Sequence, residues 1–153
     1  KIKYILDGGV CAIGIESTII NLTNKPTILR LGGLDISKIR KTLGCKIDIN
    51  INPRKKITSG QSHLHYSPGI PLRMNILKPK NNEAFILINK KKAKLNNYFY
   101  ISAKNNLNEA AKNLYSCLRK IKNLGYKSIA VEKIPFRGIG KTINDRLERA
   151  SKF

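Results

Sequence analysis

Five polar side chains in the first half of this 153-residue sequence could bind a charged or polar ligand. Ser17 and Thr18 interrupt a run of β-forming residues, and a hydroxyl can both donate and accept a hydrogen bond. Arg30 stands just before a Gly-Gly turn, and its planar guanidinium fits phosphate oxygens. His65 and Tyr66 are adjacent in a segment rich in proline and glycine. Because short polar motifs match by chance, these residues alone favour ordinary structural roles.

Metal and redox chemistry find little support in the sequence. His63 and His65 are two residues apart, but no carboxylate or cysteine stands nearby to complete a ligand set. The three cysteines, Cys11, Cys45 and Cys117, are widely spaced and form no C-x-x-C pair. We therefore expect no bound metal, and reduced thiols in a cytoplasmic protein.

A Gly-x-Gly turn at 138–140 leads into the last predicted helix. Such a turn can bind phosphate at a helix N-terminus, but the full dinucleotide fingerprint is absent. Tight packing between strand and helix is the favoured reason for these glycines. Asp145 and Arg149 lie four residues apart on that helix, which predicts a surface ion pair.

The first third of the chain is predicted to be rich in β-strands. A helix is predicted over 35–43, because its apolar residues have helical spacing, Asp35 suits an N-cap and Gly44 suits a helix end. Residues 52–72 lose periodicity and carry several prolines and glycines, which predicts a linker. The strands are predicted at 4–6, 13–22, 26–30 and 46–51.

The last part of the chain alternates strands with helices. One helix opens at Asn106, with Glu109 placed as in a capping box, and its apolar residues fall on one face. A final helix is predicted over 141–152. Alternating strands and helices are typical of a mainly parallel, Rossmann-like sheet. The strands are predicted at 72–77, 84–89, 98–102 and 128–134.

The net charge of +21 has two explanations. A basic protein can bind tRNA or another RNA by neutralising phosphates. Alternatively, A/T-rich codons inflate Lys, Ile and Asn together, and the scattered lysines, with one short run at 90–92, slightly favour this second explanation. No apolar run approaches the ~20 residues that span a bilayer, so no membrane partner is expected.

Four groups of motifs follow one another across nearly the whole chain. They are DGG at 7–9 with GIESTII at 14–20, ILR at 28–30 with Gly32, SG at 59–60 with HYSP at 65–68 and PL at 71–72, and PxxGIG at 135–140 with NDRLxRA at 144–150. In this order and spacing they resemble the threonylcarbamoyl-AMP synthase family in its two-domain form.

The resemblance implies an α/β fold in two domains. Residues 1–58 are expected to be the C-terminal part of a YrdC-like α/β catalytic domain, 59–72 a linker and lid, and 73–153 a small Rossmann-like α/β domain. The family's basic K-x-R motif and its S-x-x-N motif belong to the N-terminal part of the catalytic domain, which this chain is expected to lack. The first residue is not methionine, which agrees with a piece of a longer protein.

The resemblance also implies the reaction, that of a cytoplasmic nucleotidyltransferase. The family joins ATP, L-threonine and bicarbonate into threonylcarbamoyl-AMP and pyrophosphate, the first step of threonylcarbamoyl-adenosine modification of tRNA. Mg²⁺ is expected with ATP, held mostly by phosphates and water.

By resemblance, Ser17 and Thr18 contact L-threonine, and Arg30, His65 and Tyr66 contact ATP. The linker is expected to close over the site and to exclude water from a labile mixed anhydride. No catalytic residue is assigned.

Two positions depart from the family pattern. Leu31 stands where proline usually follows the arginine, so the placement of Arg30 is in question. Ser62 and His63 replace the usual lysine and tyrosine, so the lid is expected to hold phosphate less firmly.

The leading hypothesis is therefore a truncated or split synthase that is inactive alone. Its partners would be a separate N-terminal chain or a downstream transferase complex. The alternative is a non-catalytic regulatory module that binds a nucleotide or tRNA.

Overall fold

Ten regular elements form the described part of the chain. The structure is a computed structural model that describes residues 2–62, 65–89 and 95–152, so His63 and the lysine run at 90–92 lie outside it. The elements are β1 (Ile19–Asn21), β2 (Thr27–Arg30), α1 (Ile36–Leu43), β3 (Asp48–Ile49), β4 (Leu72–Arg73), β5 (Ala84–Leu87), β6 (Tyr98–Tyr100), α2 (Leu107–Asn123), β7 (Ile129–Val131) and α3 (Gly140–Ser151).

The first sheet has the order β1-β2-β3, and Arg30, which is predicted to bind ATP, is the last residue of β2. β1 and β2 are antiparallel, whereas β2 and β3 are parallel. α1 connects β2 to β3, and its apolar face packs on the sheet because Ile36 and Ile39 fall on one side. The small core of this part consists of Ile28, Leu31, Ile36, Ile39 and Ile47.

The ends of α1 are those that the sequence predicts. The Asp35 carboxylate accepts the backbone N–H of Ser37 at 2.7 Å, which caps the N-terminus. Gly44 adopts the left-handed conformation at φ 64° and donates its N–H to the carbonyl of Arg40 at 3.0 Å. The N-cap bond to Ser37 also holds the pKa of Asp35 below its usual value.

The second sheet is fully parallel, which confirms the sequence-based expectation. Its order is β4-β7-β5-β6. The long apolar face of α2 and the buried residues of α3 share one core with this sheet, including Ile86, Leu114 and Leu147. Asn106 caps α2 as predicted, but Glu109 bonds Ser102 and the backbone of residue 103 instead of closing a capping box.

The predicted pair at the end of α3 exists, but its predicted position on the surface is wrong. Arg149 is 4% exposed and Arg146 is 1% exposed, because α3 packs against the first part of the chain. Arg149 bonds Asp145 at 3.1 Å and reaches the carbonyls of Ile51 and Ser62 at 3.0 and 3.1 Å. The i,i+4 pair is therefore part of a buried junction between the two halves.

Of the strands predicted at the start of the chain, the one at 4–6 is wrong and the one at 13–22 is too long. Residues 4–6 are irregular, and the strand predicted over 13–22 is reduced to β1, so Ser17 and Thr18 precede that strand. The described chain offers residues 4–6 no partner strand, and β-propensity without a partner does not form a sheet. The side chains of Ile2, Tyr4, Ile5, Leu6 and Val10 are exposed as a result.

The helices of the described residues include none that is long and apolar enough to cross a membrane.

Candidate functional site

Arg30 and Ser17 are in direct contact. Arg30 ends β2, and its Nε and Nη2 atoms donate to the carbonyl and hydroxyl oxygens of Ser17 at 3.0 and 3.1 Å. Its Nη1 donates to the hydroxyl of Ser59 at 3.1 Å, at the start of the linker. All three acceptors are neutral, so these bonds leave the positive charge uncompensated. Such a guanidinium can hold an anion.

Gly32 makes this contact possible. A Cβ atom at Gly32 would lie 2.1 Å from the backbone nitrogen of Thr18 and 2.2 Å from the carbonyl carbon of Ser17. Only glycine lets the two backbones approach so closely. The sequence ILR-x-G therefore places Ser17 against Arg30 by removing a side chain between them.

The Thr18 hydroxyl has a different hydrogen-bond partner from that of Ser17. Its hydroxyl donates to the carbonyl of Leu34 at 3.0 Å, which ties the loop after β2 to the segment before β1. Both residues line an apolar cleft with the neighbouring residues 11–16, Ile20 and 33–34. Ser17 is the more exposed residue of the two.

The linker crosses Arg30 at a second glycine. Gly60 has φ +80°, and a Cβ there would lie 2.9 Å from the Cδ of Arg30 and 3.0 Å from the hydroxyl oxygen of Tyr66. The structure thus brings Ser17, Arg30 and Tyr66 to one place, although they are distant in sequence. His65 is exposed, and its ring contacts that of Tyr66 at 3.9 Å between centroids.

Tyr66 is held in a strained conformation between two helices. Its φ of +66° is rare for a bulky residue. Its ring stacks on Tyr115 of α2 at 5.6 Å, and the guanidinium carbon of Arg146 of α3 lies 4.8 Å from its centroid. Its buried hydroxyl has no hydrogen bond of good geometry within the described chain. Burial, with the Glu16 carboxylate nearby, raises the pKa of Tyr66 to about 12.

Glu16 joins this cluster from the segment before β1. Its carboxylate accepts from Arg146 Nε at 3.1 Å and from the Tyr115 hydroxyl at 3.4 Å. Burial works against its charge, but the Tyr66 hydroxyl and Arg146 still hold the pKa of Glu16 below its usual value. Arg146 also donates to the carbonyl of Leu31 at 2.6 Å, next to Arg30.

The glycine turn at 138–140 is a packing feature. A Cβ at Gly140 would lie 2.1 Å from the carbonyl oxygen of Pro135, so the strand-to-helix connection needs glycine there. The Asp35 carboxylate lies 3.3 Å from the corresponding position at Gly138, where it already supplies negative charge near the start of α3. Both observations favour the packing interpretation over a phosphate site.

The described residues contain no group of three or more His, Cys, Asp or Glu side chains placed to hold a metal ion.

Comparison with known proteins identifies the family. The family model described as "Threonylcarbamoyl-AMP synthase, C-terminal domain" matches residues 34–152. The chain belongs to the threonylcarbamoyl-AMP synthase family. The resemblance that the sequence motifs suggested is thereby confirmed.

Individual synthases match over the whole chain. The threonylcarbamoyl-AMP synthase of Pyrococcus abyssi is 29% identical and that of Bacillus subtilis 28%, over 100% and 99% of this chain. The crystal structure of P. abyssi Sua5 complexed with L-threonine superposes with a TM-score of 0.79 at 27% identity, over 95% of this chain and 48% of that chain. The chain spans about half the length of these relatives, 50% and 49% respectively.

Four residues of this cluster were given no role from the sequence, namely Glu16, Ser59, Tyr115 and Arg146. Three of them left a signal. Glu16 interrupts an apolar run immediately before Ser17, Ser59 belongs to the SG motif at 59–60, and Arg146 lies inside the NDRLxRA motif. Tyr115 left none, because its role depends on how α2 packs.

Proposed function

We propose that this chain supplies one wall and the lid of a threonylcarbamoyl-AMP synthase site, which joins ATP, L-threonine and bicarbonate with release of pyrophosphate. The observation that carries the proposal is the Arg30 guanidinium, which bonds Ser17 and the linker through neutral acceptors in the described chain. Its remaining N–H groups would donate to phosphate oxygens, beside a hydroxyl that would orient a small zwitterion.

The reaction requires charge compensation and the exclusion of water more than it requires a nucleophile from the protein. A carbamate formed on the amino group of threonine attacks the α-phosphate, the bond to the β-phosphate oxygen breaks, and pyrophosphate leaves. Arg30 would offset charge on the phosphates, Ser17 and Thr18 would position threonine, and His65 with Tyr66 would cover the nucleotide. Mg²⁺ would arrive with ATP, coordinated mainly by phosphate and water.

One solved relative supports threonine as a substrate, and a second carries substitutions at a His-Tyr pair. One is described as complexed with L-threonine. The other is a variant of the same P. abyssi protein in which a histidine and the tyrosine after it are both replaced by alanine, with a TM-score of 0.76 and 25% identity to this chain. This sequence contains one His-Tyr pair, His65-Tyr66.

We propose that the chain is inactive without a further segment equivalent to the N-terminal half of its relatives. The exposed apolar side chains concentrate in the first part: eleven of the fifteen large ones in the described chain lie within residues 2–58. Such a surface is typical of one that another polypeptide covers. Residues 1–58 would then be the later part of a YrdC-like domain, and 73–153 the Rossmann-like domain.

The test is pyrophosphate release and threonylcarbamoyl-AMP formation with ATP, L-threonine and bicarbonate. We expect no turnover by the chain alone and turnover when the N-terminal half of the B. subtilis relative is added. Arg30→Ala should then reduce kcat/KM at least about 100-fold, because a charged contact to phosphate is lost, while Arg137→Ala, at an exposed arginine, should have no effect. Strong turnover by the chain alone, or equal effects of both substitutions, would contradict the proposal.

A second candidate function, binding of tRNA, is favoured by the surface of α2. Its exposed side carries Lys112, Arg119, Lys120 and Lys122, and its one acidic residue, Glu109, is bonded to Ser102. A tRNA titration at rising salt tests this candidate, since each phosphate contact adds about −0.9 to the slope of log K against log salt. No binding at low salt would exclude it.

A further inference from the structure

The surroundings of Tyr66 come from parts of the chain that the proposed reaction does not use. Tyr115 belongs to α2 and Arg146 to α3, both outside the linker and the threonine wall. They lie against the Tyr66 ring, and both contact one carboxylate oxygen of Glu16. We call Tyr115, Arg146 and Glu16 the Tyr66 seat.

Glu16 connects the seat to the substrate wall. It is bonded to Ser17 through the chain, but its carboxylate meets α2 and α3, whereas the Ser17 hydroxyl meets Arg30. Arg146 adds a second connection by donating to the carbonyl of Leu31, the residue after Arg30. Movement of the seat would therefore displace Ser17 and Arg30 as well as the lid.

We propose that Tyr115 and Arg146 are positioning residues that hold Tyr66, and with it the linker, in the closed position over Arg30 and Ser17. This inference rests on the proposed function for its meaning in catalysis, but the closed linker itself can be measured without catalysis. The second half of the chain would then determine how long the lid stays closed.

General packing is a weaker explanation of the same contacts. A residue that only fills a core adopts relaxed backbone angles, whereas Tyr66 has φ +66° and a buried hydroxyl without a well-formed hydrogen bond in the described chain. Strain of this kind persists only where the surroundings impose it, and it is concentrated at clamps and switches. The flat stack on Tyr115 and the cation above the ring are what impose it here.

The experiment is hydrogen–deuterium exchange of linker amides in the 153-residue chain. Tyr115→Ala removes the stacked ring, and we expect exchange across 58–62 and 65–70 to rise about tenfold relative to α1. Tyr115→Phe keeps the ring and should exchange like the unaltered chain. Leu87→Ala is the control for general loss of packing, because Leu87 is buried on the opposite face of the parallel sheet and should not affect the linker selectively.

The inference is overturned if Tyr115→Ala leaves linker exchange unchanged, if Tyr115→Phe behaves like Tyr115→Ala, or if the rise is spread over the whole chain as in Leu87→Ala. Should Tyr115→Ala fail to fold, Arg146→Lys takes its place. It keeps a positive charge near Glu16 but loses the planar group over the ring and the bond to Leu31, and the same rise at the linker is expected.

A second measurement connects the seat to the reaction. In the chain complemented with the N-terminal half of the B. subtilis relative, Tyr115→Ala should raise KM for ATP about tenfold with a smaller change in kcat. Tyr115→Phe loses the 3.4 Å contact with Glu16 but keeps the stacked ring, so it should stay closer to the unaltered chain than Tyr115→Ala in both constants. A fall of about tenfold in kcat with unchanged KM in Tyr115→Ala would overturn the positioning role. Absence of any turnover in the complemented unaltered chain contradicts the proposed function instead, and the exchange experiment still decides the seat.

Discussion

Gly32 shows how one missing side chain can place a binding residue. The backbones at residues 17–18 and 32 are so close that a Cβ would overlap backbone atoms, which cannot rotate out of the way as a side chain can. The approach aligns Ser17 with the guanidinium of Arg30. The glycine that stands two residues after Arg30 in the sequence therefore has a direct steric cause.

We therefore expect Gly32→Ala to destabilise the fold by about 1–3 kcal/mol, the usual range for inserting a group into a closely packed site. The free energy of unfolding from urea denaturation measures it. Gly8→Ala is the matched control, because a Cβ at Gly8 would have no atom within 4 Å and the change should stay within about 0.5 kcal/mol. Equal effects of the two substitutions would show that Gly32 is not required for the close approach.

Among the elements, α1 has its ends determined most clearly by local chemistry. Asp35 accepts the N–H of Ser37, and its carboxylate also lies near the turn that starts α3. The Asp35→Ala substitution should lower the free energy of unfolding by about 1 kcal/mol at pH 7, the typical loss for an N-cap. Asp35→Asn keeps a capping oxygen and should retain most of that stability. A loss as large in Asp35→Asn would mean that charge, not the cap bond, is decisive.

The charge of Asp35 can be separated from its cap by pH. Its folded-state pKa is depressed, chiefly by the bond from Ser37, so its charged form adds stability above the unfolded value of about 3.9. That contribution is lost as the pH falls through the folded-state pKa. The difference in unfolding free energy between the unaltered chain and Asp35→Asn should therefore shrink from pH 7 to about pH 3. A difference that does not change with pH would contradict this origin.

The elements that the sequence predicted well are those whose signals are local. α1 and α2 have caps and one apolar face, and β5 and β7 are short apolar runs between turns, so each is recognisable from its own residues. The strand predicted at 4–6 had the right composition but no neighbour to pair with. A strand exists only in a sheet, and that part of the information is not in the segment itself.

At the scale of the whole molecule, the two halves meet in contacts that no local pattern predicts. Gly14 approaches the backbone of Lys112 in α2, where a Cβ would lie 2.6 Å from its Cα. Thr142 of α3 donates to the carbonyl of Gly32 at 2.9 Å, 110 residues away. Spacing suggested that Arg149 pairs with Asp145 within the helix, and the pair exists, but tertiary packing buries it and adds three acceptors from elsewhere.

The buried position of Arg149 leads to a prediction that distinguishes a buried pair with Asp145 from a surface pair. Arg149→Met leaves the carbonyls of Ile51 and Ser62 without their donor and leaves Asp145 with Arg146 as its remaining cation. Breaking a buried ion pair costs about 3–5 kcal/mol, whereas an exposed pair contributes about 0–1 kcal/mol. We expect a loss of about 3 kcal/mol in the free energy of unfolding, together with faster amide exchange over 51–62.

Lys152→Met is the control at the C-terminal end of the same helix, because Lys152 pairs with Glu148 at the same i,i+4 spacing and both side chains are exposed. Its effect should stay below about 0.5 kcal/mol. An equally small loss of unfolding free energy in Arg149→Met would mean that α3 does not hold the two halves of the chain together. A large rise in amide exchange confined to 51–62 and α3 would show that the C-terminal motif stabilises the segment that leads into the lid. The Tyr66 seat depends on that stability, since Arg146 lies one turn before Arg149 on α3 and shares Asp145 with it.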